Sequence, residues 1–153
     1  ELLEFEDSLK TEDVSLGHYW SLGESIYPNS NNFTFDNPIS YRRLECPYFE
    51  GTVNFFYTKK GKSIKVVSYG WKEFKESDFP ISTNSDSEDR HKAFNEKYDF
   101  VLTEISKLLG EPISNVTEED GRRQTKWKSN DNINAYLFNF SSINEIRLYI
   151  YKE

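Results

Sequence analysis

The stretch FNEKYDFVLTEISKLLGEP, residues 94–112, decides how the rest of the chain is read. Phe94, Tyr98, Val101, Ile105 and Leu108 recur at alternating spacings of four and three, which places them on one helical face, with Leu102 and Leu109 widening the stripe. Gly110 can take the left-handed conformation that closes a helix, and Pro112 cannot continue one. Upstream, Ser85 and Glu88 have the spacing of a capping box, and Asp86 and Asp89 suit the positive end of the helix dipole. The expected helix therefore runs from about Asp86 to Leu109. Alone it would be marginal, so its apolar face needs a surface to pack on.

That surface is expected downstream, where the period changes to two. Ile146, Leu148 and Ile150 alternate with Arg147, Tyr149 and Tyr151, the pattern of a half-buried strand. Ile133 to Phe140 is a second strand, bounded by the turn-forming clusters Asn130-Asp131-Asn132 and Ser141 to Asn144. Gln124 to Lys128, centred on Trp127, is a third. Short turns between them predict an antiparallel three-stranded meander under the helix.

Upstream of the helix, Thr52 to Thr58 and Ser63 to Phe74 alternate clearly and flank Lys59-Lys60-Gly61-Lys62, so they predict a hairpin. Gly70 marks a bulge or a close backbone approach in its second strand. Ile39 to Leu44 is a shorter candidate strand, closed by Cys46-Pro47. Leu2, Leu3, Phe5 and Leu9 read as an amphipathic helix or arm, and Thr11-Glu12-Asp13 as a second helix start. Gly17 to Asn37 reads as irregular chain pinned by aromatics, and Glu76 to Asn84 as a polar connection. The expected fold is a single α+β domain over residues 1–153: an N-terminal hairpin plus a C-terminal meander in an antiparallel sheet, packed against one long helix.

Composition bounds the function. Aromatic residues make up 16% of the chain against a hydrophobic fraction of 36%, so Phe and Tyr must build much of the core. The net charge of -7 disfavours nucleic-acid backbones and anionic membrane surfaces and favours a basic partner. No apolar run is long enough for a transmembrane helix. Cys46 is the only cysteine, so no intramolecular disulfide can form. A reducing cytoplasm fits this. The chain contains no methionine, as expected of a processed product that has lost an upstream signal or lipid anchor, which makes an extracytoplasmic location the alternative.

Chemistry-bearing patterns are sparse. His18 and His91 are the only histidines, and neither stands at metal-ligand spacing from a cysteine or the other histidine. Asn84, Asp86 and Glu88 imitate the start of a calcium loop, but Asp89 and Asn95 occupy the positions that need glycine and glutamate. No phosphate loop or nucleophile elbow occurs, so neither a cofactor nor a metal is expected. The expected partner-binding residues are Arg147, Tyr149 and Tyr151, the outward row of the last strand, with Trp127 or Tyr136 beside them. Aromatics and arginine are the residue types that dominate binding hot spots. Tyr136, Phe138 and Phe140 leave the second face of their strand apolar, so either the N-terminal half or a partner has to cover it.

The helix, the Leu109-Gly110-Glu111-Pro112 stop, the Trp127 strand and the closing pair of strands resemble the C-terminal halves of small bacterial immunity proteins and of small surface lipoprotein domains. The resemblance covers less than half of the chain. The first likeness implies a non-enzymatic inhibitor that occludes a basic toxin; the second implies an extracytoplasmic, once lipid-anchored domain.

Overall fold

The computed structural model describes residues 11–15, 38–45, 49–58, 60–61, 63–73, 84–140 and 144–152, with the side chains of 84–87 excepted. The elements run β1 (Glu12–Asp13), β2 (Ile39–Glu45), β3 (Phe49–Tyr57), β4 (Ile64–Glu73), α1 (Asn84–Leu109), β5 (Ser114–Thr117), β6 (Arg123–Lys128), β7 (Ile133–Phe140) and β8 (Glu145–Lys152). They give an α+β architecture with one antiparallel sheet, but the sheet is larger than a hairpin plus a meander. Among the described residues it has eight strands, in the order β1-β2-β3-β4-β8-β7-β6-β5. The two halves join because β4 and β8 alternate alike, so Val67, Tyr69 and Trp71 meet Ile150, Leu148 and Ile146 on one face.

Helix α1 lies across that face. Phe94, Tyr98, Val101 and Ile105 are buried with Trp71, Trp127, Ala135, Leu137, Ile146 and Leu148, while Leu102 and Leu109 pack at the margin. Leu108 departs from the expected stripe and is 78% exposed, because in the last turn Leu109 takes the contact with the core. Polar groups inside the core are hydrogen-bonded to one another. The Tyr98 hydroxyl meets Thr125 Oγ1 at 2.8 Å, Thr125 Oγ1 reaches Asn115 Oδ1 at 3.0 Å, and Trp127 Nε1 donates to Ser106 Oγ at 3.1 Å. Burial raises the Tyr98 phenol above its ordinary value, against the lowering effects of Thr125 and Arg123.

The N-terminal half of α1 is tied to the upstream strands by one charged cluster. Glu45 accepts from Lys97 Nζ at 2.6 Å, from Arg43 Nε at 3.1 Å and from Trp71 Nε1 at 3.2 Å. Lys97 Nζ also lies 5.0 Å from the Trp71 ring centre and 5.8 Å from that of Phe49, which itself meets Phe94 edge-on. Gly51 leaves the room for this: a Cβ there would stand 3.2 Å from Glu45 Oε1. Beside the cluster, Arg90 bonds Glu73, which also accepts from Asn144 at 3.4 Å.

Several local expectations change. Glu12 and Asp13 form a short strand on β2, held extended by backbone pairing and the Glu12–Arg42 ion pair, and only beyond them is Ser15 in 3-10 conformation, its N–H donating to Asp13 Oδ1 at 2.9 Å. Gly70 carries no bulge: the register runs through it unbroken, its Cβ position lies 3.1 Å from Thr52 Oγ1, and the irregularity falls at Phe56/Tyr57. Helix α1 starts at Asn84, and the capping contacts expected of Ser85 lie outside the described residues. So do the expectations for 1–10, 17–37, Cys46-Pro47 and 76–83.

Gly110 stops α1 as expected, with φ of 87° and its N–H donating to Ser106 O at 2.9 Å. A Cβ there would meet nothing within 4 Å, so Gly110→Ala carries only the left-handed backbone penalty. The expected loss is about 1–2 kcal/mol of stability, read from the urea midpoint. An unchanged midpoint would count against this helix end.

Candidate binding surface

The sheet face turned away from α1 is built by the alternate residues of the same strands. On β7 these are Asn134, Tyr136, Phe138 and Phe140, and on β8 Glu145, Arg147, Tyr149 and Tyr151. Phe138 is the hub. It stacks on Tyr136 at 4.9 Å and on Tyr149 at 5.9 Å, and meets Phe140 edge-on at 5.1 Å. Arg147 lies over the Phe140 ring with its Cζ 5.4 Å from the centre, and Lys126 Nζ sits 5.2 Å from that of Tyr136. The Tyr136 hydroxyl donates to Gln124 Oε1 at 2.8 Å.

Electrostatics fix the arginine. Burial alone would lower the Arg147 pKa, but the bond to Glu145 and that carboxylate's charge outweigh it and raise the value. The guanidinium therefore stays charged beside the Phe140 ring. Tyr136, Phe138, Phe140, Arg147, Tyr149 and Tyr151 are all partly buried.

Of the five residues read from the sequence as partner-binding, the structure brings Tyr136, Arg147, Tyr149 and Tyr151 together on this face. It removes Trp127. That side chain points the other way, under α1, and is 1% exposed. Period-two alternation is the reason: in β6, Thr125 and Trp127 face the helix while Gln124, Lys126 and Lys128 face away. Phe138, the centre of the cluster, is a further member of the face, and its alternation with Leu137 is the sequence signal for it.

The same face changes character along the sheet. Toward β2–β4 it becomes a buried polar row in which Ser40 Oγ donates to Asn54 Oδ1 at 2.7 Å and Asn54 Nδ2 to Ser68 Oγ at 3.3 Å. Phe56 and Val66, in the row that leads to Tyr151, are also buried.

Concave features are modest. A void of about 10 Å³ beside Tyr41, Gly51 and Trp71 has room for about one water. A shallow groove of about 650 Å³ runs along the outer side of α1 past Glu88, His91, Asn95 and Asp99 to Asn144. Among the described residues, no three His, Cys, Asp or Glu side chains are grouped to hold a metal ion. No described helix is long and apolar enough to cross a membrane. No family model, no curated protein and no solved structure matches the chain.

Proposed function

We propose that this chain is a non-enzymatic protein-binding domain with a basic partner, most concretely an immunity-type inhibitor that occludes a bacterial toxin. The observation that carries this reading is the aromatic and arginine cluster Tyr136, Phe138, Phe140, Arg147 and Tyr149 on the sheet face away from the helix. Large, rigid, amphipathic side chains give contact area at low entropic cost, and a charged guanidinium held among them offers directed donors. The overall charge of -7 supports a basic partner through its long-range field.

In this reading charge sets the association rate and the aromatics set the lifetime of the complex. Tyr149→Ala is expected to weaken binding by more than about 1 kcal/mol and to shift melting little. The association rate should fall as salt screens the field, with dissociation nearly unaffected. The measurement is calorimetric and kinetic binding to the product of the neighbouring gene, with Lys107→Ala on the opposite side of the protein as control. Equal affinity of wild type and Tyr149→Ala would exclude this face as the interface.

A further inference from the structure

Among the described residues β5 is the edge strand of the sheet, and exposed apolar side chains stand on it and just before it. The hairpin between β5 and β6 sets which main-chain groups are free. Gly121 N–H donates to Glu118 O at 3.0 Å, and Glu118 N–H donates to Arg122 O at 2.8 Å, with Gly121 at φ of 83°. In an antiparallel ladder hydrogen-bonded residues alternate, so from Glu118 backward Val116 bonds to β6 while Asn115 and Thr117 turn their N–H and C=O groups outward. Among the described residues, no strand lies beyond them in the sheet. Val116 is 48% exposed, Ile113 just before the strand 66%, and Leu108 at the helix end 78%. None of the four residues of β5 is charged or proline, the usual devices that blunt an edge.

The charges around this edge choose its occupant. Of the nearby cations, Lys107 pairs with Glu104, Arg122 with Glu118 and Asp120, and Arg123 with Asp99, while Lys126, opposite Ser114, lies over the Tyr136 ring on the sheet face. Glu111 and Glu119, at either end of the edge, are exposed and carry no ion pair among the described residues. A second copy fits poorly. Pairing two β5 strands about Val116 sets Asn115 against Thr117, and the same register sets each Ile113 against the other copy's Glu119. We infer that the β5 edge is a docking site for an extended segment of another protein, with β-branched residues at its centre and lysine or arginine at both ends, added as a ninth strand.

This surface is separate from the aromatic face, and the two are tested separately. The probe is an acetylated, amidated nonapeptide, Lys-Lys-Thr-Val-Thr-Val-Thr-Lys-Lys, titrated to millimolar concentration into the ¹⁵N-labelled chain, alongside the same peptide with glutamate at its ends. Amide shifts should concentrate between Leu108 and Glu119, largest at Asn115 and Thr117, and the glutamate peptide should bind at least about fivefold more weakly. Thr117→Pro removes an outward N–H without touching the ladder to β6 and should abolish the shifts, while Tyr149→Ala should leave them unchanged. Should the proline variant fail to fold, the double variant Glu111→Lys, Glu119→Lys decides, because it should reverse the preference between the two peptides. Absent shifts at millimolar peptide, equal binding of both peptides, or a preference unchanged in the double variant would overturn the inference. Shifts of the same amides on concentrating the protein alone would assign the edge to a second copy and overturn it equally.

Discussion

Trp127→Ala is expected to lower stability by about 3–5 kcal/mol, the range for deleting a large aromatic from a packed core. The side chain is 1% exposed, packs among the helix and sheet residues of the main core, and places its only polar atom 3.1 Å from Ser106 Oγ. Truncation removes apolar area, leaves a cavity that Ala135 and Leu137 are too small or too constrained to fill, and strips Ser106 of its donor. A loss of this size is comparable to a large part of the total stability of a domain this long, so the variant should melt many degrees lower. Trp127→Phe should recover much of it by filling most of the volume. Urea unfolding followed by circular dichroism measures both. A midpoint for Trp127→Ala within error of wild type would mean that α1 does not rest on β6. The same experiment separates the two readings of this residue, since a surface anchor would affect binding and leave the midpoint alone.

That separation shows where the sequence is informative and where it is not. α1, β7 and β8 are legible because each carries a sustained period that only one secondary structure satisfies, and Gly110 marks its helix end through the one conformation that favours glycine there. The facing of Trp127 was also legible, because Lys126 and Lys128 alternate with it and cannot share its buried side. Strand β5 was not. Ser114-Asn115-Val116-Thr117 has one apolar residue and no periodicity, and it is extended because the turn at Glu119-Asp120-Gly121 folds it back on β6 and Asn115 reaches Thr125. The joining of the two halves through β4 and β8 is a pairing across the whole helix, which local pattern does not encode. On the candidate surface, the outward row of β8 follows from alternation alone, but the central place of Phe138 follows from the β6–β7 and β7–β8 registers, which set it between Gln124 and Arg147.

The contact least visible in the sequence is the one between Glu45 and Lys97, 52 positions apart, and it is expected to be the most pH-sensitive part of the fold. Burial by itself would raise the Glu45 carboxyl, but the hydrogen bond and charge of Lys97, then the bonds from Arg43 and Trp71, outweigh it and hold the group below the ordinary carboxylate value. Its side chain keeps 23% of its surface, so the cluster is screened more than a fully buried pair. Glu45→Ala should therefore cost about 2–3 kcal/mol, below the 3–5 kcal/mol of a wholly buried pair, because Lys97 is left among Trp71 and Phe49 without its carboxylate. A folded value below the unfolded one means that the contribution is complete above about pH 4.3, the unfolded value, and is lost as pH falls through the folded one. Wild type and Glu45→Gln should thus differ by a constant amount from pH 7 down to about 4.3 and converge below it. Lys97→Met keeps the aliphatic stem against the rings and should cost less than Glu45→Ala, since Arg43 and Trp71 still satisfy the carboxylate. Urea midpoints of the three variants and wild type at stepped pH give the comparison. A gap between wild type and Glu45→Gln that stays constant to pH 2 would show that the ionised carboxylate does not hold the helix to β2.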